Sequence, residues 1–309
     1  MNDQRPIIVA LAKCAEYGDP TLTETIRCVL EAIGLRPRPK TRVLVKPNLL
    51  TPMPPNNLPC THPLIIRAVC QYLLDLGAEV RVGDSPTFGK AVEIAKRIGL
   101  TEVLADLPVT IVNLDQPKLV RFSFGGTIPM SRVALENDLI VSVPKLKAHH
   151  QMRITGAVKN VYGCVTGIGK PFLHFLHGDR GCRFENMILE IRQQLPPTVS
   201  VMDAITAMHV HGPVKGEPYH MGLVAASSSA VALDTAVMSI IGLESKDAPL
   251  WQRCLNLNLP GARPEELIYP LEIPESFDGK DFKFPKHLYP ISFRPLKMVG
   301  HYMRRFRAR

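Results

Sequence analysis

The chain has 309 residues, 46% of them apolar, with 37 Lys or Arg against 28 Asp or Glu and a mean hydropathy of +0.05. It is long enough for an extensive core, and it contains no apolar run near the roughly 18 residues of a membrane span. The net charge of +9 is local: Lys280 to Arg309 holds nine Lys or Arg against the single Asp281, so the body is nearly neutral and a nucleic-acid partner is not expected.

The first residues, MNDQRPIIVALAK, lack the basic start, long apolar core and small-residue cleavage site of a signal peptide, so a cytoplasmic protein is the expectation. Ile7 to Leu11 reads as a strand, and Thr21 to Ile33 as a helix through Leu22, Ile26, Val29, Leu30 and Ile33. Arg42 to Val45 is a second buried strand, stopped at Lys46-Pro47-Asn48, where proline removes a ladder donor. After a proline-rich loop, His62-Pro63 starts a helix that runs to Leu76. Glu79 to Val82 is a third strand, closed by Gly83-Asp84-Ser85-Pro86, with a helix from about Lys90 to Ile98 after it. Strand-helix alternation of this kind predicts a mostly parallel, doubly wound α/β sheet.

Between Thr110 and Arg132 the period changes to two. Val120, Phe122 and Phe124, the Gly125-Gly126 turn, and Ile128, Met130 and Arg132 read as a β-hairpin at a sheet edge. Leu139 to Val143 returns to a buried strand, followed by Lys145, Lys147, His149 and His150, and then by a short helical segment bearing Lys159 and Asn160. Glu185 to Leu195 is a helix, and Val199 to Met202 a strand ending at Asp203. A loop with His209 and His211 follows, then a strand at Met221 to Ala226, a helix at Ala230 to Ile241, and a further helix around Trp251. Residues 1–257 form the predicted α/β domain, and 258–309 a proline-rich, basic, irregular or helical extension.

Four buried strands end in polar residues at turns: Lys46 with Asn48, Asp84 with Ser85, Lys145 after Pro144, and Asp203. In open parallel sheets ligands bind beyond the carboxyl ends of the strands, so these residues are expected to meet at one crevice. Lys46, Lys145 and Lys159 suit a small carboxylate or phosphate, with Lys147 as a weaker candidate that, like His150, is expected to turn to solvent. His149 or Asp84 would move a proton, and Lys145 or Lys159, its pKa lowered among other cations, could serve as a base or form a Schiff base. His62, Asn160 and Asp203 complete the predicted ligand set. The glycines Gly163, Gly167 and Gly169 before Lys170 do not form a phosphate loop, because their spacing is wrong and Pro171 stands where Ser or Thr belongs. They are expected to give flexible backbone at the rim of the site.

A metal would draw on His62, His149, His209 and His211 with Asp84 and Asp203, the H-x-H spacing putting His209 and His211 on one face of an extended segment. It could instead draw on Cys60, Cys164 and Cys182, although the seven cysteines are scattered and include no C-x-x-C. In the tail, Leu296, Val299, Met303 and Phe306 fall at helical spacing among basic residues. Residues 294–309 could therefore lie on an anionic membrane surface or an acidic protein partner.

Seven motifs in order carry a family resemblance: VLVKPNL (43–49), THP (61–63), GDSP (83–86), VPKLKAH (143–149), TGAVKNVYG (155–163), MDAI (202–205) and HGPVKGEP (211–218). Over about residues 40–245 the chain resembles the DUF362 family, a domain of unknown function. Many of its members carry a ferredoxin-like segment with clustered cysteines and are described as iron-sulfur proteins. This chain has no such cysteine cluster. The resemblance implies a shared site on Lys46, Asn48, His62, Asp84, Lys145, His149, Lys159, Asn160 and Asp203.

Three functions follow as expectations. The first is an enzyme or enzyme-like binder of a small anionic metabolite. The others are an iron-sulfur or metal accessory protein, and a membrane-peripheral protein acting through its tail.

Overall fold

A computed structural model describes residues 6–52, 57–87, 89–123, 125–167 and 169–291. Short strands β1 (Ile7–Ile8) and β2 (Ala10–Lys13) precede α1 (Leu22–Ala32), β3 (Arg42–Pro47), α2 (Pro63–Asp75), β4 (Glu79–Asp84), α3 (Ala91–Arg97), α4 (Leu100–Val103) and β5 (Thr110–Asn113). The chain continues through β6 (Pro117–Arg121), β7 (Thr127–Ser131), α5 (Arg132–Leu135), β8 (Leu139–Val143), β9 (Lys145–His149), β10 (Arg153–Thr155), α6 (Ala157–Asn160) and α7 (Gly169–His177). It closes with α8 (Arg183–Gln194), β11 (Thr198–His209), β12 (Glu217–Ser227), α9 (Ala230–Ile240), α10 (Pro249–Asn256) and β13 (Leu267–Ile268).

The main sheet runs β5-β4-β3-β8-β11-β12-β2, with β9 beside β11 beyond the end of β8 and β10 flanking β9. Pairing is parallel from β5 to β11 and also between β9 and β11, whereas β12, β2 and β10 pair antiparallel. Alternation along each strand divides the core in two. Val43, Val45, Val141, Val143, Val201 and Ile205 pack with α1, α2 and α3, while Leu44, Ile140, Met202, Ala204 and Leu223 pack with α6, α8 and α9. Both faces are covered, which is why the central strands are near-continuous apolar runs.

Local chemistry accounts for the helices. In α1 the buried residues Leu22, Ile26, Val29 and Leu30 fall on one stripe. Pro63 opens α2, and the His62 ring Nδ1 accepts the Leu64 N–H at 3.3 Å as its cap. Helix α9 is buried on nearly every side, consistent with its composition, because residues 258–291 wrap over it and contribute Leu267, Phe282 and Ile291 to the same core.

Three features differ from the sequence expectations. Pro144 only interrupts the chain, which resumes as β9, so Lys145, Lys147 and His149 share one face of a strand. Strand β11 runs on to His209, and Asp203 therefore lies mid-strand opposite Lys145. The hairpin β6–β7 forms its own two-stranded ribbon. Phe124 and the tail helix expected at 294–309 lie outside the described residues.

The four-residue helix α6 depends on a side chain from another helix. The Asp234 carboxylate on α9 accepts the N–H groups of Ala157 at 2.6 Å and Val158 at 2.9 Å, a cap at the positive end of α6. Gly156 is required there, because any Cβ would overlap that carboxylate. Burial pushes the Asp234 carboxyl up to about 7, against the two N–H donors that favour its charged form. Asp234→Ala should lower stability by about 3 kcal/mol, since it leaves buried donors unmet, and Asp234→Asn, which keeps one acceptor, should cost about half of that. Urea unfolding of the three proteins checks this order.

Candidate functional site

Lys46 is the last residue but one of β3, and its side chain is 1% exposed. Its ammonium meets Asp84 Oδ1 at 2.8 Å and also donates to Pro47 O at 2.9 Å and Asn160 Oδ1 at 3.4 Å. Asp84, at the end of β4, accepts the N–H groups of Leu49 at 2.8 Å and Ser85 at 2.9 Å. The Asn160 amide nitrogen donates to Lys46 O at 3.2 Å and Ser142 Oγ at 2.9 Å, and its oxygen accepts Asn48 Nδ2 at 3.1 Å. The ion pair leaves no room over Gly163, where a Cβ would overlap Asp84 Oδ1 and the Lys46 Cε and Nζ. This glycine therefore permits close approach and is not a source of rim flexibility.

A cavity of about 360 Å³ opens over this pair, at the carboxyl ends of β3 and β4 and beside β9. Lys147, Lys159 and Lys170 join Lys46 in its walls, together with His149, His174 and Thr155. Lys147 is held by Asn48 Oδ1 at 2.7 Å and Pro59 O at 2.8 Å, and Lys170 by the Ser85 carbonyl. Lys159 has no hydrogen-bond or ion-pair partner among the described residues. Burial pushes these amines down, Lys147 to about 7 with help from the Lys159 and Lys145 charges, and Lys159 and Lys170 to about 8. Thr155 Oγ1 is buried there without a partner.

The two imidazoles are held in opposite tautomers. His149 Nδ1 accepts the N–H groups of Gln151 at 3.0 Å and Met152 at 3.3 Å, which places its proton on Nε2. His174 Nδ1 lies 3.2 Å from Ile291 O, which requires the proton on Nδ1 and leaves Nε2 an acceptor. Burial and then the Lys159 charge lower both, His149 well below its usual value and His174 to about 4, so both are neutral at pH 7. One ring can give a proton and the other can take one.

Lys145 does not line this cavity. It donates to Asp203 Oδ2 at 3.0 Å and to the Tyr17 hydroxyl at 2.6 Å, and Tyr17 in turn donates to Asp203 Oδ1 at 2.8 Å. The His62 N–H adds a bond to Asp203 at 2.9 Å, and the Tyr17 ring stacks on His62 at 3.7 Å. Lys145 and His62 face a separate cavity of about 600 Å³. The returning segment Pro59–His62 parts the two lysines, with Cys60 neighbouring both ammonium groups. Of the residues expected at one crevice, Lys46, Asn48, Asp84, Ser85, His149, Lys159 and Asn160 meet there, and Lys145, His62 and Asp203 form the second network. Lys147, expected in solvent, is 1% exposed inside the cavity.

The metal candidates do not gather: among the described residues no three His, Cys, Asp or Glu side chains could hold an ion. Val210 takes φ 66°, which breaks the extended geometry that would put His209 and His211 on one face. His209 instead packs on Tyr219 and Phe282, and His211 near His150. Cys60 and Cys164 are separate buried thiols, Cys164 raised to about 11 by burial, and Cys182 is exposed at the start of α8. This donor set does not fit an iron-sulfur cluster.

His174, Lys170 and Tyr17 had no role in the sequence reading. Lys170 and His174 stand one helical turn apart on α7, and that i, i+4 spacing was the available signal.

The chain matches the domain family described as "Domain of unknown function (DUF362)" over residues 43–239. It is 34% identical over 291 residues to a thylakoid-associated protein of Synechocystis sp., covering 92% of this chain and 90% of that protein. Similar solved structures include a lactate racemase apoprotein from Thermoanaerobacterium thermosaccharolyticum, at 15% identity and a TM-score of 0.48 over 77% of this chain and 58% of that one. A protein from Thermotoga maritima matches at 15% identity and a TM-score of 0.43, over 68% and 55% of the two chains. The chain thus spans little more than half the length of either structure. Among the described residues no helix is long and apolar enough to cross a membrane. Profile match and sequence identity together make the chain a member of the DUF362 family.

Proposed function

We propose that the cavity over Lys46 and Asp84 binds a small carboxylate or phosphate metabolite, with His149 and His174 as the donor and acceptor of a proton on it. One observation carries this reading: four lysines share the cavity with a single carboxylate that Lys46 already neutralises, and the Lys159 ammonium has no partner among the described residues. Buried cations without counter-charges are costly, and an anionic ligand supplies the missing charge. The unpartnered Thr155 hydroxyl offers a further hydrogen bond to it. Neutral imidazoles of opposite tautomer suit proton transfer, in which one nitrogen releases a proton as the other accepts one.

A second reading, attachment to a membrane surface without a span, is favoured by the name of the cyanobacterial relative, a thylakoid-associated protein.

Titration calorimetry with inorganic phosphate and small mono- and dicarboxylates tests the first reading. Lys159→Ala should cost about 2 kcal/mol, near thirtyfold in Kd. Lys145→Met should leave that affinity unchanged while lowering stability by about 3 kcal/mol, because it strands the buried Asp203. Equal binding by Lys159→Ala and wild type to every anion would overturn the assignment.

The pH dependence has a definite sign. With Lys147 near 7 and Lys159 and Lys170 near 8 in the folded protein, against about 10.4 unfolded, the unfolded chain holds more protons between pH 7 and 10. Through these groups, stability of the ligand-free protein should rise with pH over that window. Lys159→Met should then stabilise the protein at pH 7, with the gain fading towards pH 10. Anion affinity should fall as pH rises through 7 to 8, with proton uptake on binding at pH 8 seen as a buffer-dependent heat.

A further inference from the structure

Helix α7 presents two chemically opposite faces. Lys170 and His174 line the cavity and Leu173 is buried, while Phe172 and Phe175 are 58% and 46% exposed. These are the only exposed phenylalanines among the described residues, and their i, i+3 spacing puts them side by side. Arg180 in the turn that follows and Arg183 at the start of α8 are both exposed. The acid on this turn, Asp179, is engaged by the Ile291 N–H at 2.7 Å. The same residue fastens the C-terminal segment to α7, because Ile291 O meets His174 Nδ1 at 3.2 Å. The chain beyond this anchor, residues 292–309, holds Arg294, Lys297, Arg304, Arg305, Arg307 and Arg309 and no acidic residue.

We propose that the face formed by Phe172, Phe175, Arg180 and Arg183 binds the surface of an anionic lipid bilayer. This assignment rests on the membrane-surface reading above and gives it a place on the molecule. Exposed aromatic rings and clustered cations are the two kinds of contact that a peripheral protein combines, since either alone anchors weakly. Charge selects the occupant: two exposed arginines, and six further cations with no acid in the sequence after Ile291, match anionic headgroups and oppose a second copy of the same basic surface. The helix that would touch the bilayer also carries Lys170 and His174, so the cavity wall and the membrane face are parts of one element.

Flotation of the full-length chain with vesicles of phosphatidylcholine, alone or mixed with phosphatidylglycerol, tests this. The wild type should float with the mixed vesicles, less so at high salt, and not with phosphatidylcholine alone. Arg180→Ser with Arg183→Ser should lower the partition coefficient roughly thirtyfold. Phe172→Ser with Phe175→Ser should lower it at least about tenfold, and the melting curves should stay unchanged because all four side chains are exposed. Wild type that ignores anionic vesicles sinks both this face and the membrane reading. Wild type that binds while both double variants bind equally well overturns the face alone. A dimer that the phenylalanine variant dissociates, with vesicle binding unaltered, assigns the patch to a second copy and overturns it too.

Discussion

The ion pair between Lys46 and Asp84 is the constraint that shapes the rest of the site. Two neighbouring parallel strands end in opposite charges 2.8 Å apart, both buried, and such a pair is tolerated only where its remaining donors and acceptors are met. Pro47 O and Asn160 meet the ammonium, and the N–H groups of Leu49 and Ser85 meet the carboxylate. These partners come from the end of β3 and the loop after it, from the loop after β4 and from α6, so the pair fixes those loops and the short helix in one arrangement. Gly163 follows from the same geometry, because the pair fills the space a side chain would need.

Above that neutral floor the cavity is unbalanced. Lys147 and Lys170 find carbonyl or amide oxygens, which satisfy hydrogen bonds without supplying negative charge. Their amines are correspondingly easy to deprotonate, as is that of Lys159. Buried amines perturbed in this way are a common pattern for functional sites. The Lys145–Asp203–Tyr17 network on the far side of Pro59–His62 is the contrast. There each charge has its counterpart, and the result ties the N-terminal segment, β9, β11 and the start of α2 together.

Helix α7 joins these themes because it serves two surfaces. Its inward residues complete the cation cluster, and its outward residues Phe172 and Phe175 are exposed aromatic rings. The C-terminal segment packs where α7 and the β9–β10 turn meet, through Ile291, Tyr289 and Gln151. Ile291 is thereby held against a helix that lines the cavity, a placement that composition alone does not give.

The sequence by itself determined the layered architecture. Apolar runs such as Arg42 to Val45 and Leu139 to Val143, separated by periodic helices, bury both faces of a parallel sheet in only one general way. It also marked Lys46 and Asp84 at strand ends and Lys159-Asn160 on a short helix, and these four side chains line one cavity. What it could not decide was which of Lys145 and Lys147 faces that cavity, because two residues apart on a strand they share a face and differ only in what packs over them. That depends on a segment, Pro59–His62, which arrives from elsewhere in the chain and seats one ammonium beside Asn48 and the other beside Asp203. His174 was hidden for the same reason, since its tautomer and its place in the cavity are set by Ile291, more than a hundred residues further on. Local pattern specifies secondary structure and side-chain direction, whereas the meeting of groups distant in sequence is a property of the packed chain alone.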